Sequence, residues 1–148
     1  MIRECLNEAK ILMALEEPDY RHLIERMLKH SALIDAADSR RVCDQILERD
    51  QRMPTALGKR IAVPRYISDQ IDHNEIIVAI NPAGLPAVSS DQKPVKILFL
   101  LLLSATTAYA DVLAQCLRLL NDDAIKEELM KAKDAPEVYR IIQRWEQD

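Results

Sequence analysis

The chain has 148 residues, 49% apolar and 30% charged, with a formal net charge of −4 and a pI near 5.4. That length is one domain with room for a full core, burying roughly two-thirds of its unfolded surface. The acidic balance argues against a nucleic-acid binder, which carries a basic face. The expected organisation is one domain over residues 1–148, without repeats, linkers or low-complexity segments.

Taken in chain order, residues 9–15 read as a short strand or a helical turn, with the strand favoured. Pro18-Asp19 opens a helix in which Tyr20, Leu23, Ile24, Met27 and Leu28 share one face. Asp38 is the candidate N-cap of a second helix, with Val42, Ile46 and Leu47 inward and Glu48-Arg49-Asp50 as its last turn. Pro54 ends it. Residues 60–63 form a short strand that leads into a loop at Pro64. Residues 75–80 are β-branched and bounded by Asn81-Pro82, hence a strand. The stretch 82–94 reads as a polar loop with Gly84 and Pro86, and a short strand near Ala87-Val88. Residues 95–103 are apolar at nearly every position, as expected of a central strand covered on both faces. Three helices follow: 107–120, one capped by Asp122 or Asp123, and one that starts at Ala135-Pro136-Glu137 with Pro136 at its first position. Val112, Leu113, Cys116, Leu117, Leu120, Ile125, Leu129, Val138, Ile141, Ile142 and Trp145 make their inner stripes. The pattern predicts an α/β fold, a mixed β-sheet flanked by helices on both faces in three layers.

Cys5, Cys43 and Cys116 fit neither a disulfide framework nor a metal site and read as reduced, buried thiols. No metal-ligand spacing, Ser-centred elbow or Gly-rich phosphate cradle is present; Gly58 and Gly84 are the only glycines. No cofactor is expected. No signal peptide is visible, and the run 97–103 is far short of the ~20 residues of a membrane span. A cytoplasmic protein that is not membrane-embedded is expected.

The stretch Thr55-Ala56-Leu57-Gly58-Lys59-Arg60-Ile61-Ala62-Val63-Pro64-Arg65 carries the strongest signal. It resembles the phosphorylation loop of bacterial phosphotransferase-system enzymes IIA of the fructose/mannitol/nitrogen-regulatory type, which reads Thr-x-x-Gly-x-Gly-Ile-Ala-Ile-Pro-His. Arg65 stands at the position of that family's phosphoacceptor histidine and Arg60 at its second glycine. The resemblance extends over residues 38–146: Arg49-Asp50 matches an Arg-Glu pair, Pro94-Val95 precedes the apolar strand, and Tyr109 falls at a second histidine. The stand-alone nitrogen-regulatory branch is the nearest in kind. It implies a three-layer enzyme IIA fold and a family that takes phosphoryl from a small phosphocarrier and passes it to a sugar transporter or uses it to regulate partners. Of the family's functional positions, Arg49 is kept.

Guanidinium is protonated at every accessible pH and has no lone pair with which to attack phosphorus. Tyr66 is a neutral phenol without a local base. His22 and His30 read as solvated helix residues, and His73 as an exposed loop residue eight positions after Arg65. The expected function is therefore a non-phosphorylatable enzyme IIA-like regulatory domain with no catalytic residue, which binds a protein partner: a phosphocarrier, or a regulated transporter or kinase. Arg49, Arg60, Arg65 and Lys59 are the candidate anion- or partner-binding set, since guanidinium pairs suit phosphate and carboxylate. Two alternatives remain at this point: phosphoryl transfer with His73 as acceptor, and an anion or phosphometabolite sensor built on the arginines.

Overall fold

A computed structural model describes residues 1–87 and 91–147. After a 3-10 turn, Glu8–Lys10, come β1 (Ile11–Met13), α1 (Tyr20–Leu28), α2 (Ser39–Arg52), β2 (Ala56–Gly58), β3 (Ile61–Ala62), β4 (Arg65–Ser68), β5 (Glu75–Leu85) and β6 (Val95–Ser104). Helices α3 (Tyr109–Leu120), α4 (Asp123–Lys131) and α5 (Ala135–Gln147) complete the chain.

The strands form a mixed sheet in the order β1-β5-β6-β3-β2, with β4 also on β6. β5 and β6 are antiparallel, whereas β3 and β4 both run parallel to β6. Ile61 pairs with Ile97 and Arg65 with Leu101, so β3 and β4 follow one another along the same edge of β6. Pro64 separates them because it has no N–H for the ladder, yet its carbonyl still accepts from Leu101 N at 2.9 Å.

Alternation along β6 divides its side chains between two cores. Ile97, Phe99, Leu101 and Leu103 pack under α3, α4 and α5, and Leu98, Leu100 and Leu102 under α1 and α2. This is the expected α/β architecture with helices on both faces. Asp19 caps α1 by accepting from His22 N at 2.8 Å, and Asp122 caps α4 through Ile125 N at 3.2 Å. Asp38 occupies the N-cap of α2 without a side-chain bond.

Several boundaries differ from expectation. The first strand is only Ile11–Met13, because a 3-10 turn takes the residues before it. Arg65 does not sit on a loop but opens β4, whose pairing to β6 overrides the weak local signal. β5 continues through Pro82 to Leu85 by way of a register irregularity between Ile80 and Leu85, the setting in which a strand tolerates proline. α3 starts at Tyr109 rather than residue 107, and Pro136 is the second residue of α5. Leu47, Leu113, Leu117 and Trp145 are only partly buried, while Leu119 is fully buried. Ala87 is not in a strand, and Val88 lies outside the described residues.

A second buried charge belongs to the scaffold. Glu75, 1% exposed at the start of β5, accepts from Ser31 Oγ and from Ala32 N at 2.8 Å and pairs with Lys10 Nζ at 2.8 Å. Ser31 Oγ in turn accepts from Leu33 N and Ile34 N. One carboxylate thus ties the α1–α2 connection to the N-terminal segment.

Candidate functional site

The last turn of α2 carries Arg49 and Arg52, and β4 begins with Arg65. Together with Gln45, Glu48, Tyr66 and Ile67 they line an open cleft of about 310 Å³. Among the described residues β4 pairs with β6 alone, so Arg65 stands at an edge of the sheet with α2 beside it. Arg65 is half-buried, and its Nε is fully shielded from solvent without a hydrogen-bond partner among the described residues. Burial and, next, the like charge of Arg49 pull its pKa below the usual guanidinium range, against the opposing pull of Asp50 and Tyr109. The second position named by the resemblance, Tyr109 in the first turn of α3, is thus within electrostatic reach of Arg65.

Behind the two arginines lies a polar knot. Asp50 accepts from the Tyr20 hydroxyl with one carboxylate oxygen and from Thr55 Oγ1 at 2.9 Å with the other. Burial raises the Asp50 pKa, and the bonds from Tyr20 and Thr55 with the charges of Arg65 and Arg49 only partly offset that. Thr55, 4% exposed, is therefore anchored by its hydroxyl at the entrance to the β2–β3 hairpin. A short apolar cleft of about 430 Å³, with Pro54, Pro86 and Ala87 on its walls, opens on the other side of this knot.

Lys59 and Arg60 do not join this cleft. They form the tip of the β2–β3 hairpin, one extended segment away from Arg65. At ~3.3 Å per residue, five residues of strand separate Arg60 from Arg65 by on the order of 15 Å. The four cations expected as one set are therefore divided, Arg49 and Arg65 at one end and Lys59 and Arg60 at the other. His73 lies past the end of β4, exposed, with its Nδ1 2.6 Å from Asp72 Oδ1, and it does not line the arginine cleft. His22 Nδ1 lies 2.7 Å from Asp19 Oδ1, and His30 Nδ1 meets the Ala9 carbonyl at 3.1 Å. Tyr66 packs into the α1–α2 core with its hydroxyl 3.4 Å from Arg41 Nη1.

Arg52 was not foreseen, although its spacing of three from Arg49 puts both on one helical face. Tyr20 and Asp50 meet across thirty residues, which no local pattern reveals.

The family model of the phosphoenolpyruvate-dependent sugar phosphotransferase system, EIIA 2, matches residues 4–145. The chain belongs to this family. It is 26% identical over 134 residues to the nitrogen regulatory protein of Bradyrhizobium diazoefficiens, covering 89% of this chain and 88% of that one. It is 26% identical over 136 residues to the fructose-specific EIIA component of Haloferax volcanii, covering 88% of each. The crystal structure of IIA-Ntr from Neisseria meningitidis superposes with a TM-score of 0.76 at 25% identity, over 95% of this chain and 98% of that one. IIA mannitol from Escherichia coli shares the fold, with a TM-score of 0.74 at 17% identity over 93% and 98% of the two chains. The EIIA 2 assignment and the three-layer architecture agree with what the Thr55–Arg65 motif implied. Among the described residues, no helix is long and apolar enough to cross a membrane.

Proposed function

We propose that this EIIA 2 protein is a regulatory, nitrogen-regulatory-type domain that does not accept a phosphoryl group and acts by docking a protein partner on its arginine cleft. One observation carries this reading. The residue at the motif's acceptor position, Arg65, is half-buried beside Arg49, with a shielded Nε that has no hydrogen-bond partner among the described residues. A phosphoryl acceptor must present a lone pair in line with phosphorus, and guanidinium has none. What Arg65, Arg49 and Arg52 offer instead is a fixed cationic face, suited to carboxylates or phosphate on the partner through paired, charge-assisted bonds. Partner docking is in keeping with the family, since IIA mannitol of Escherichia coli, alike in fold, is known in complex with phosphorylated IIB mannitol.

The test is intact-mass analysis after incubation with phosphoenolpyruvate, enzyme I and the phosphocarrier. No gain of a phosphoryl group is expected from the wild type. The Arg65→His/Tyr109→His variant, which restores both histidines of the motif, is the positive control and should gain one acid-labile phosphoryl. A stoichiometric acid-labile gain on the wild type, at His73 or elsewhere, overturns the reading.

A further inference from the structure

The other two cations of the expected set lie at a second, separate cleft. It has a volume of about 300 Å³ and sits between the β2–β3 hairpin tip and α4. Lys59, Arg60, Lys93 and Lys126 surround it, against the carboxylates of Asp123 and Glu127 on its lining and of Asp91 at the hairpin tip beside it. The chain as a whole is acidic, so this local excess runs counter to its average.

The cations come from three segments that the fold holds together. Asp91 accepts from Lys59 N and Lys93 N, each at 3.0 Å, and so fastens the hairpin tip to the loop before β6. The Arg60 carbonyl accepts from Lys96 N at 2.8 Å and from Ile97 N at 3.2 Å. Lys126 is 8% exposed, a buried ammonium on α4. It pairs with Asp123 at 3.1 Å and donates to the Lys59 carbonyl at 3.4 Å. An ammonium has three donors, and these contacts use two. Among the described residues the ion pair at this cleft is that of Lys126 with Asp123, and Asp91 is engaged by the Lys59 and Lys93 amides and by a further contact.

The hairpin tip is also strained. Gly58, Lys59 and Arg60 have φ of +80°, +56° and +70° in succession. For residues with a Cβ the left-handed region costs about 1–2 kcal/mol each, and such strain gathers at ligand clamps. Here it turns two cationic side chains outward at one point. Ile97 and Met130 supply apolar wall to the same cleft. A volume of this size is at the lower end of small-molecule sites, which combine apolar walls with a few converging polar groups.

We infer that this cleft is a second site, independent of Arg65, for a small, multiply charged phosphate ester, with the phosphates on Lys59, Arg60, Lys93 and Lys126 and the organic body over Met130. The experiment is a 1H–15N NMR titration of the whole chain with inorganic pyrophosphate and with ADP at constant ionic strength. Saturable shifts are expected at the amides of Lys59, Arg60, Lys93 and Lys126, with ADP binding at least as tightly as pyrophosphate. Lys93→Ala with Lys126→Met should weaken binding about tenfold or more. Arg60→Gly, which relieves strain and so folds, should weaken it severalfold. Arg65→Met should leave the isotherms followed at Lys93 and Lys126 unchanged. The inference is overturned if no saturable shift occurs at these amides, if sulfate at equal ionic strength produces the same shifts, if ADP binds more weakly than pyrophosphate, or if Arg65→Met abolishes them.

Discussion

Arg65→Met tests whether the arginine cleft is held against its own stability. Arg65 is half-buried at the start of β4, and its Nε is desolvated and, among the described residues, unpaired. A buried donor without a partner costs about 1–3 kcal/mol. Burial and the Arg49 charge both oppose the charged form, as the lowered pKa records. Methionine keeps a flexible apolar stem of similar reach and removes the unpaired donor and the repulsion. It also removes the attraction between Arg65 and Asp50. Weighing these, the variant should be more stable by about 1 kcal/mol, which for a chain of this size is a rise in Tm of about 2–5 °C. Differential scanning calorimetry at neutral pH measures it directly. A residue kept for packing would behave in the opposite way, and a fall in Tm of a few degrees would falsify the claim that Arg65 is retained at a cost.

Three further outcomes follow from the same geometry. Arg60→Gly should raise stability by about 0.5–1 kcal/mol in urea denaturation, because φ of +70° suits glycine and strains arginine; an unchanged or lower midpoint would show that the tip relaxes in solution. Glu75→Ala should cost about 3–5 kcal/mol, since it strands Lys10 beside a buried strand end and leaves Ser31 and Ala32 without their acceptor; a loss under 1 kcal/mol would mean that water replaces the carboxylate. The Asp50 pKa is raised by burial, so its contribution to stability is fully present below the unfolded value of 3.8 and is lost as pH rises through the folded value. Arg65→Met removes a charge that lowers that pKa, so carboxyl-carbon NMR should find Asp50 titrating higher still in the variant, and the variant's stability gain should be larger at pH 4 than at pH 7.

The parts of this fold that were legible in the sequence are those with a period of their own. Leu23, Ile24, Met27 and Leu28 repeat at helical spacing, and β6 is apolar on both faces because both are covered. β2 and β4 are three and four residues long. They exist because β3 and β6 offer them partners, and pairing across the sheet leaves no local mark. The extension of β5 through Pro82 is of the same kind, with the Asn81 side chain bonding Leu15 O and Ala83 N around the irregularity. The candidate site divides along the same line. Arg65 could be named because it ends the Thr55–Arg65 stretch, and Arg49 and Tyr109 because the resemblance continues upstream and downstream of it. Their supports, Tyr20 and Asp50, meet only in three dimensions, and so do Arg60, Lys93 and Lys126.

The separation of the two cationic clefts follows from one feature of the chain. Between Arg60 and Arg65 the backbone is extended along β6, first as β3 and then, after Pro64, as β4. Had this segment been a compact loop, all four cations would share one surface, and a single anion could engage them. Extended, it places Arg65 beside α2 and Arg60 beside α4, with β6 fixing the interval between them. A ligand at the hairpin tip therefore has no direct contact with the arginine cleft. Between them, just after β3, Val63 N donates to the Thr55 carbonyl at 2.9 Å, and the Thr55 hydroxyl donates to Asp50. The extended segment thus keeps the two clefts apart, which is why a change at Arg65 is expected to leave binding at the hairpin tip as it was.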